Sequence, residues 1–135
     1  MRNGKYVETG IEQWYENDTL HRVDGPAVIS PYGDEEWFNE GVRHRLDGPA
    51  VILFDGTKYW YKNGSLHRED GPAITTPSGY KAWFINGLNH REGGPARIWP
   101  NRDKEYWLNG KLFRFEEWFH ETTPEGKLSF LFRGE

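Results

Sequence analysis

The chain has 135 residues, with 21 acidic and 17 basic side chains for a net charge of -4, and it contains no cysteine. Its mean hydropathy is -0.89, yet seven Trp, seven Tyr and eight Phe bring the aromatic share to 16%. A disulfide-stapled scaffold and thiolate metal sites are thereby excluded, the interleaved charges argue against a broad phosphate-binding surface, and the rings are left as the main material for a core.

In chain order, MRNGKYVETG carries no apolar run. Neither a signal peptide nor a membrane anchor is expected, and the cytosol is the expected compartment. β-rich segments then alternate with glycine turns. Strand pairs are predicted at 4–7 with 11–16, 27–30 with 35–39, 50–53 with 58–62, 73–76 with 81–85, and 96–99 with 104–108. The first reversal of each pair falls on Gly10, Gly33, Gly56 or Gly79, with Arg102 in that slot in the last copy. A second falls on Asn63-Gly64 and its equivalents Glu40-Gly41, Asn86-Gly87 and Asn109-Gly110, with Asn17-Asp18 in the first copy. Such dipeptides mark tight turns because their central residues tolerate positive φ.

These elements are copies of one unit. HRVDGPA, HRLDGPA, HREDGPA and HREGGPA begin at His21, His44, His67 and His90, a period of 23 residues without insertion or deletion. Trp14, Trp37, Trp60 and Trp83 fall in one column, with Tyr106 fifth, and Tyr15, Phe38, Tyr61, Phe84 and Trp107 fall in the next. A fixed period of this kind implies an array of equivalent supersecondary units. The predicted fold is mainly β: an elongated antiparallel ribbon of about five tandem hairpin repeats over 1–114, followed by a short helical cap over 115–135. Adjacent rings on one strand are expected to face opposite sides of the sheet. In the cap, Phe115, Trp118 and Phe119 share a helical face, Thr123-Pro124 reads as an N-cap followed by proline at the first helical position, and Leu128, Leu131 and Phe132 repeat the spacing. Gly126 weakens that second helix.

The repeats resemble MORN-type repeats, and more closely the variant W-x-x-N-G-x-x-H-R-x-D-G-P-A found in phage and giant-virus proteins and related to the repeats of YwqK-type antitoxins. Trp60, Asn63, Gly64, His67, Arg68, Asp70, Gly71, Pro72 and Ala73 carry the resemblance, with their counterparts one period either side, over residues 4 to 114. It implies a scaffold or binding surface. Two positions depart from the pattern: Gly93 stands in the aspartate slot and Phe113 in the histidine slot.

The recurring polar residues read as parts of the fold. Hairpins tiled at roughly 10 Å per repeat hold His21, His44, His67 and His90 too far apart to share an ion at ligand distances of about 2 Å. Arg22, Arg45, Arg68 and Arg91 are expected to pair with Asp24, Asp47, Asp70 or another acid, and the aspartates to accept amide hydrogen bonds in their own turns. No metal site, cofactor or catalytic residue is nominated. The expected function is a non-catalytic module that binds another protein, and the resemblance implies a phage accessory protein that inhibits a host defence enzyme. The alternatives are sequestration of a small ligand such as a nucleotide, or antitoxin-like inhibition. Nucleic acid and membrane are not expected partners, whereas pairing of ribbon edges across a two-fold axis would give a homodimer. Candidate binding residues lie at turn tips that differ between copies: Tyr32, Asp34, Glu35, Tyr80, Trp99 and Arg102.

Overall fold

The computed structural model describes residues 1–133; the last two residues of the expected cap, 134 and 135, lie outside them. The chain is mainly β, built from antiparallel hairpins, and closes on two helices. It divides into two compact units, the first ending at Leu66 and the second starting at His67.

In the first unit the strands follow one another across an antiparallel sheet in the order Gly4–Glu8, Ile11–Glu16, Val28–Ile29, Glu35–Glu36, Val51–Ile52 and Lys58–Tyr59. In the second the order is Ile74–Thr75, Lys81–Ala82, Arg97–Ile98, Lys104–Leu108 and Lys111–Phe113. The predicted hairpins are present, but three long strands are not continuous. The segments predicted at 35–39, 58–62 and 81–85 break at Trp37, Trp60 and Trp83, and beyond each break Phe38–Asn39, Tyr61–Lys62 and Phe84–Ile85 form separate hairpins with Val42–Arg43, Ser65–Leu66 and Leu88–Asn89.

Trp37 and Trp83 each serve two ladders, as Trp14 also does between Ala27 and His21, where the strand stays continuous because Gly4–Glu8 pairs along its other side. The Trp37 amide donates to the Ala50 carbonyl in the main sheet, whereas its own carbonyl accepts the His44 amide from the side hairpin. Trp83 does the same between Ala96 and His90. The tryptophan is thus where the chain passes from one ladder to the other, and each repeat makes two hairpins.

The second hairpins turn on two successive residues of positive φ, such as Asn63 at 50° with Gly64 at 82°, the combination whose twist matches paired strands. The first reversals place Gly33, Gly56 and Gly79 at positive φ, and Arg102 is forced to 73° in the same slot. At the centre of the fold lie small residues. Ala27, Ala50, Ala73, Ala82 and Ala96 are fully buried, and each bonds through its backbone to a neighbouring segment of the sheet.

α1 (Phe115–Glu121) and α2 (Pro124–Arg133) form where the sequence predicts, and the Thr123 hydroxyl accepts the Gly126 amide at 3.0 Å as an N-cap. Which face of α2 packs differs from the expectation. Leu128, Leu131 and Phe132 are exposed, while Phe130 packs on Phe115, Trp118 and Phe119 at 5.2, 5.6 and 6.3 Å between ring centroids. A Cβ on Gly126 would lie 2.0 Å from the Glu92 carbonyl oxygen, and one on Gly93 would lie 3.0 Å from Ser129 Oγ. The helix therefore seats on bare backbone, and glycine at 126 and at 93 is what lets it approach. The missing aspartate of the fourth copy makes room for α2.

Candidate functional site

The heptapeptide forms one compact device in every copy. Arg22 donates from Nε to Asp24 at 3.0 Å and from Nη1 to the Pro26 carbonyl at 3.1 Å, and its guanidinium lies 3.9 Å from the centre of the Trp14 ring. Arg45 repeats this with Asp47 at 3.3 Å, the Pro49 carbonyl at 3.1 Å and Trp37 at 4.0 Å. Arg68 bonds Asp70 and the Pro72 carbonyl at 3.0 and 3.1 Å. Arg91 bonds the Pro95 carbonyl at 3.1 Å and stacks on Trp83 at 4.0 Å. Arginine suits this position because its planar head stacks and donates in the same plane. The glycine three residues on leaves room for the stacked head, since a Cβ on Gly25, Gly48 or Gly71 would come within 2.9, 2.7 or 2.9 Å of the guanidinium carbon and displace it. The Arg22 bond is also the largest cause of a lowered Asp24 pKa.

Histidine ties one copy to the next. Nδ1 of His21, His44, His67 and His90 accepts the backbone amide of Glu40, Asn63, Asn86 and Asn109 at 3.0, 2.9, 2.9 and 2.9 Å, always 19 residues further on. An accepting Nδ1 places the neutral ring's proton on Nε2, which lies 3.2 Å from Glu16 in His21 and 3.4 Å from Glu69 and Glu92 in His67 and His90. Among the described residues no three His, Asp or Glu side chains converge as a metal would require.

The last copy shows how the device ends. Tyr106 fills the tryptophan slot and meets Trp118 at 4.9 Å and Phe115 at 5.3 Å. Trp118 is fully buried and donates from Nε1 to the Arg91 carbonyl at 3.2 Å.

With the heptapeptide engaged internally, the hairpin tips hold what is left. Of the six candidate residues, Tyr80 and Trp99 come together, with ring centroids 4.7 Å apart and planes at 45°. Burial is the largest cause of the raised Tyr80 pKa, opposed by the Arg97 charge and reinforced by Glu105. Trp99 keeps 38% of its surface exposed. It lines a shallow recess with Pro100, Asn101, Asp103, Lys104 and Glu105. Arg102 is in the same turn, exposed, with its amide on the Trp99 carbonyl at 2.8 Å.

The other three candidates lie on another hairpin. Tyr32 is 80% exposed. Asp34 accepts the Phe54 amide at 2.7 Å, tying one tip to the next, and Glu35 is half-buried in the sheet opposite Ile29 and Ile52. Sequence reasoning passed over Phe54, Val23 and Leu46, which are 74, 90 and 74% exposed. Phe54 stands where other copies have Pro31, Pro77 and Pro100, and Val23 and Leu46 stand where they have Glu69 and Glu92. An apolar residue in a column that is elsewhere proline or charged was the available signal.

Tested against protein families and against curated proteins, the chain matches neither a family nor a single curated protein.

Proposed function

We propose that the chain is a non-catalytic module, built of MORN-like repeats, that binds another protein through its first-hairpin tips, with Tyr80 and Trp99 as the anchor. The observation that carries this reading is a division of labour. Residues that recur in every copy bond to the fold, whereas the tip rings vary between copies, with Tyr80 half-buried against a Trp99 that stays partly open to solvent. Part-exposed aromatic anchors with a polar rim are the residues on which protein interfaces concentrate their energy. Asn101, Asp103, Lys104 and Arg102 supply such a rim. Following the resemblance to phage copies, the partner we propose is a host defence enzyme, held inactive by occlusion.

The test is affinity capture from bacterial lysate with the wild type and with Trp99→Ala in parallel. The expected result is one stoichiometric protein retained by the wild type and lost from the variant at unchanged melting temperature. Equal capture by both, or none by either, would count against the tip as the binding surface. A saturable rise in melting temperature with a nucleotide would favour sequestration instead.

A further inference from the structure

The strand Gly4–Glu8 forms an open edge of the first unit's sheet. It is five residues long, paired along its whole length with the six-residue strand Ile11–Glu16, and all five residues are exposed. The direction of its free groups follows from its neighbour. Trp14 uses its amide on Ala27 and its carbonyl on His21, both on the side away from this edge. Lys5 is the register partner of Trp14 and Val7 that of Glu12, so in an antiparallel ladder the amides and carbonyls of Lys5 and Val7 point outward. Natural edges are kept short, covered or guarded by charge to prevent pairing; this one is long and uncovered, and its lysine, Lys5, is neutralised by Glu12 at 2.6 Å.

We propose that Gly4–Glu8 is a self-association seam, which pairs antiparallel with the same strand of a second copy about a two-fold axis at Tyr6. A two-fold axis normal to the sheet keeps each residue on its own face, so only registers pairing outward-facing residues with each other are allowed. Centring on Tyr6 pairs each Lys5 with Val7 of the second copy and engages all four free groups on each strand. Centring on Lys5 would oppose two lysines. Centring on Val7 would bring in Thr9, whose φ of 51° is not extended backbone.

Charge complementarity favours a second copy as the occupant. Arg2 lies 4.0 Å over the Tyr15 ring, on the face where Tyr6 meets Tyr15 edge-on at 5.6 Å. Alternation along the strand puts Glu8 on that same face. In the Tyr6 register Glu8 of one copy stands opposite Gly4 of the other, on the face where that copy's Arg2 covers Tyr15. At each end the seam therefore sets Glu8 of one copy beside the other's Arg2, which also lies 3.9 Å from its own Asp18, and at its centre it sets two tyrosines.

Because the chain has no cysteine, single substitutions report the register directly. Tyr6→Cys brings two thiols together at a non-hydrogen-bonded position, where Cα atoms sit about 4.5 Å apart, within disulfide reach. Under mild oxidation it is expected to form covalent dimer at least about tenfold faster than Val7→Cys or Leu128→Cys. Equal rates in all three, or a faster Val7→Cys, would overturn the proposal. Sedimentation of the wild type gives a cysteine-free measurement: a concentration-dependent rise toward twice the 15.9 kDa chain mass, abolished by Val7→Pro, which removes an outward donor and leaves the hairpin bonds in place. A wild type that stays at the chain mass at every concentration would also overturn it. Neither result bears on the tip residues, so this inference and the partner-binding reading fail separately.

Discussion

Replacing Gly48 with alanine would put a methyl carbon 2.7 Å from the Arg45 guanidinium carbon, and the arginine would have to leave both the Pro49 carbonyl and the Trp37 ring. Losing that hydrogen bond and stacking contact is expected to lower stability by about 2 kcal/mol, read from urea denaturation. The opposite sign is expected at Glu40. It adopts a φ of 48° where all four other copies place asparagine, and Glu40→Asn relieves left-handed strain while keeping the amide on His21. A gain of about 0.5–1 kcal/mol is expected in the same assay. Acid acts through the carboxylates. Asp24 is held below the ordinary 3.8 chiefly by Arg22, and Asp55 chiefly by the backbone amide of Thr57. Groups with a folded pKa below the unfolded one stabilise the protein above the unfolded value, and that contribution is lost as pH falls through the folded one. The denaturation midpoint should thus drop below about pH 4, and Asp55→Ala should reduce the slope.

At the scale of elements, the docking of α2 depends on two glycines that local rules count as defects. Gly126 weakens a helix, and Gly93 breaks the motif. Restoring the motif with Gly93→Asp is expected to destabilise the protein, because the new side chain starts 3.0 Å from Ser129 Oγ. Gly126→Ala, favourable in an isolated helix by about 1 kcal/mol, faces the Glu92 carbonyl oxygen at 2.0 Å and should release the helix. Loss of helical circular dichroism at temperatures where the β signal persists would show that release. A stabilised protein in either case would mean that the helix does not seat on the Glu92–Gly93 backbone.

Across the whole molecule, burial is thin and repetitive. Among the described residues five alanines, Ala27, Ala50, Ala73, Ala82 and Ala96, lie at 0% exposure, and the largest fully buried side chains are Trp118 and Pro95. Stability in such an array is carried by contacts between neighbours more than by a single core. Trp118 is the exception, since it closes the last repeat against Tyr106 and the helices, and Trp118→Ala is expected to remove about 3–5 kcal/mol. Hydrogen exchange should follow the same layout. The amides of Ala27, Ala73 and Ala96, buried and bonded to a neighbouring strand, should exchange slowest, and the tips around Tyr32 and Asn101 fastest.

Everything set by short-range chemistry was legible in the residues alone. The period, the Asn-Gly reversals, the hairpins and the proline start of α2 all follow from φ preferences and spacing within a few residues, so they need no knowledge of distant neighbours. Of the candidate site, the sequence marked Tyr80 and Trp99 as residues that vary, but not that they would meet. Their contact spans two repeats, and so do the histidine bonds to amides 19 residues away. The break at each internal tryptophan was equally hidden, because it arises when one residue serves two ladders at once with no long strand paired alongside, as Gly4–Glu8 is at Trp14. Only the tertiary structure decided which face of α2 is buried, since the seat on Gly93 and Gly126 is a matter of backbone clearance, which the periodicity of a sequence does not encode.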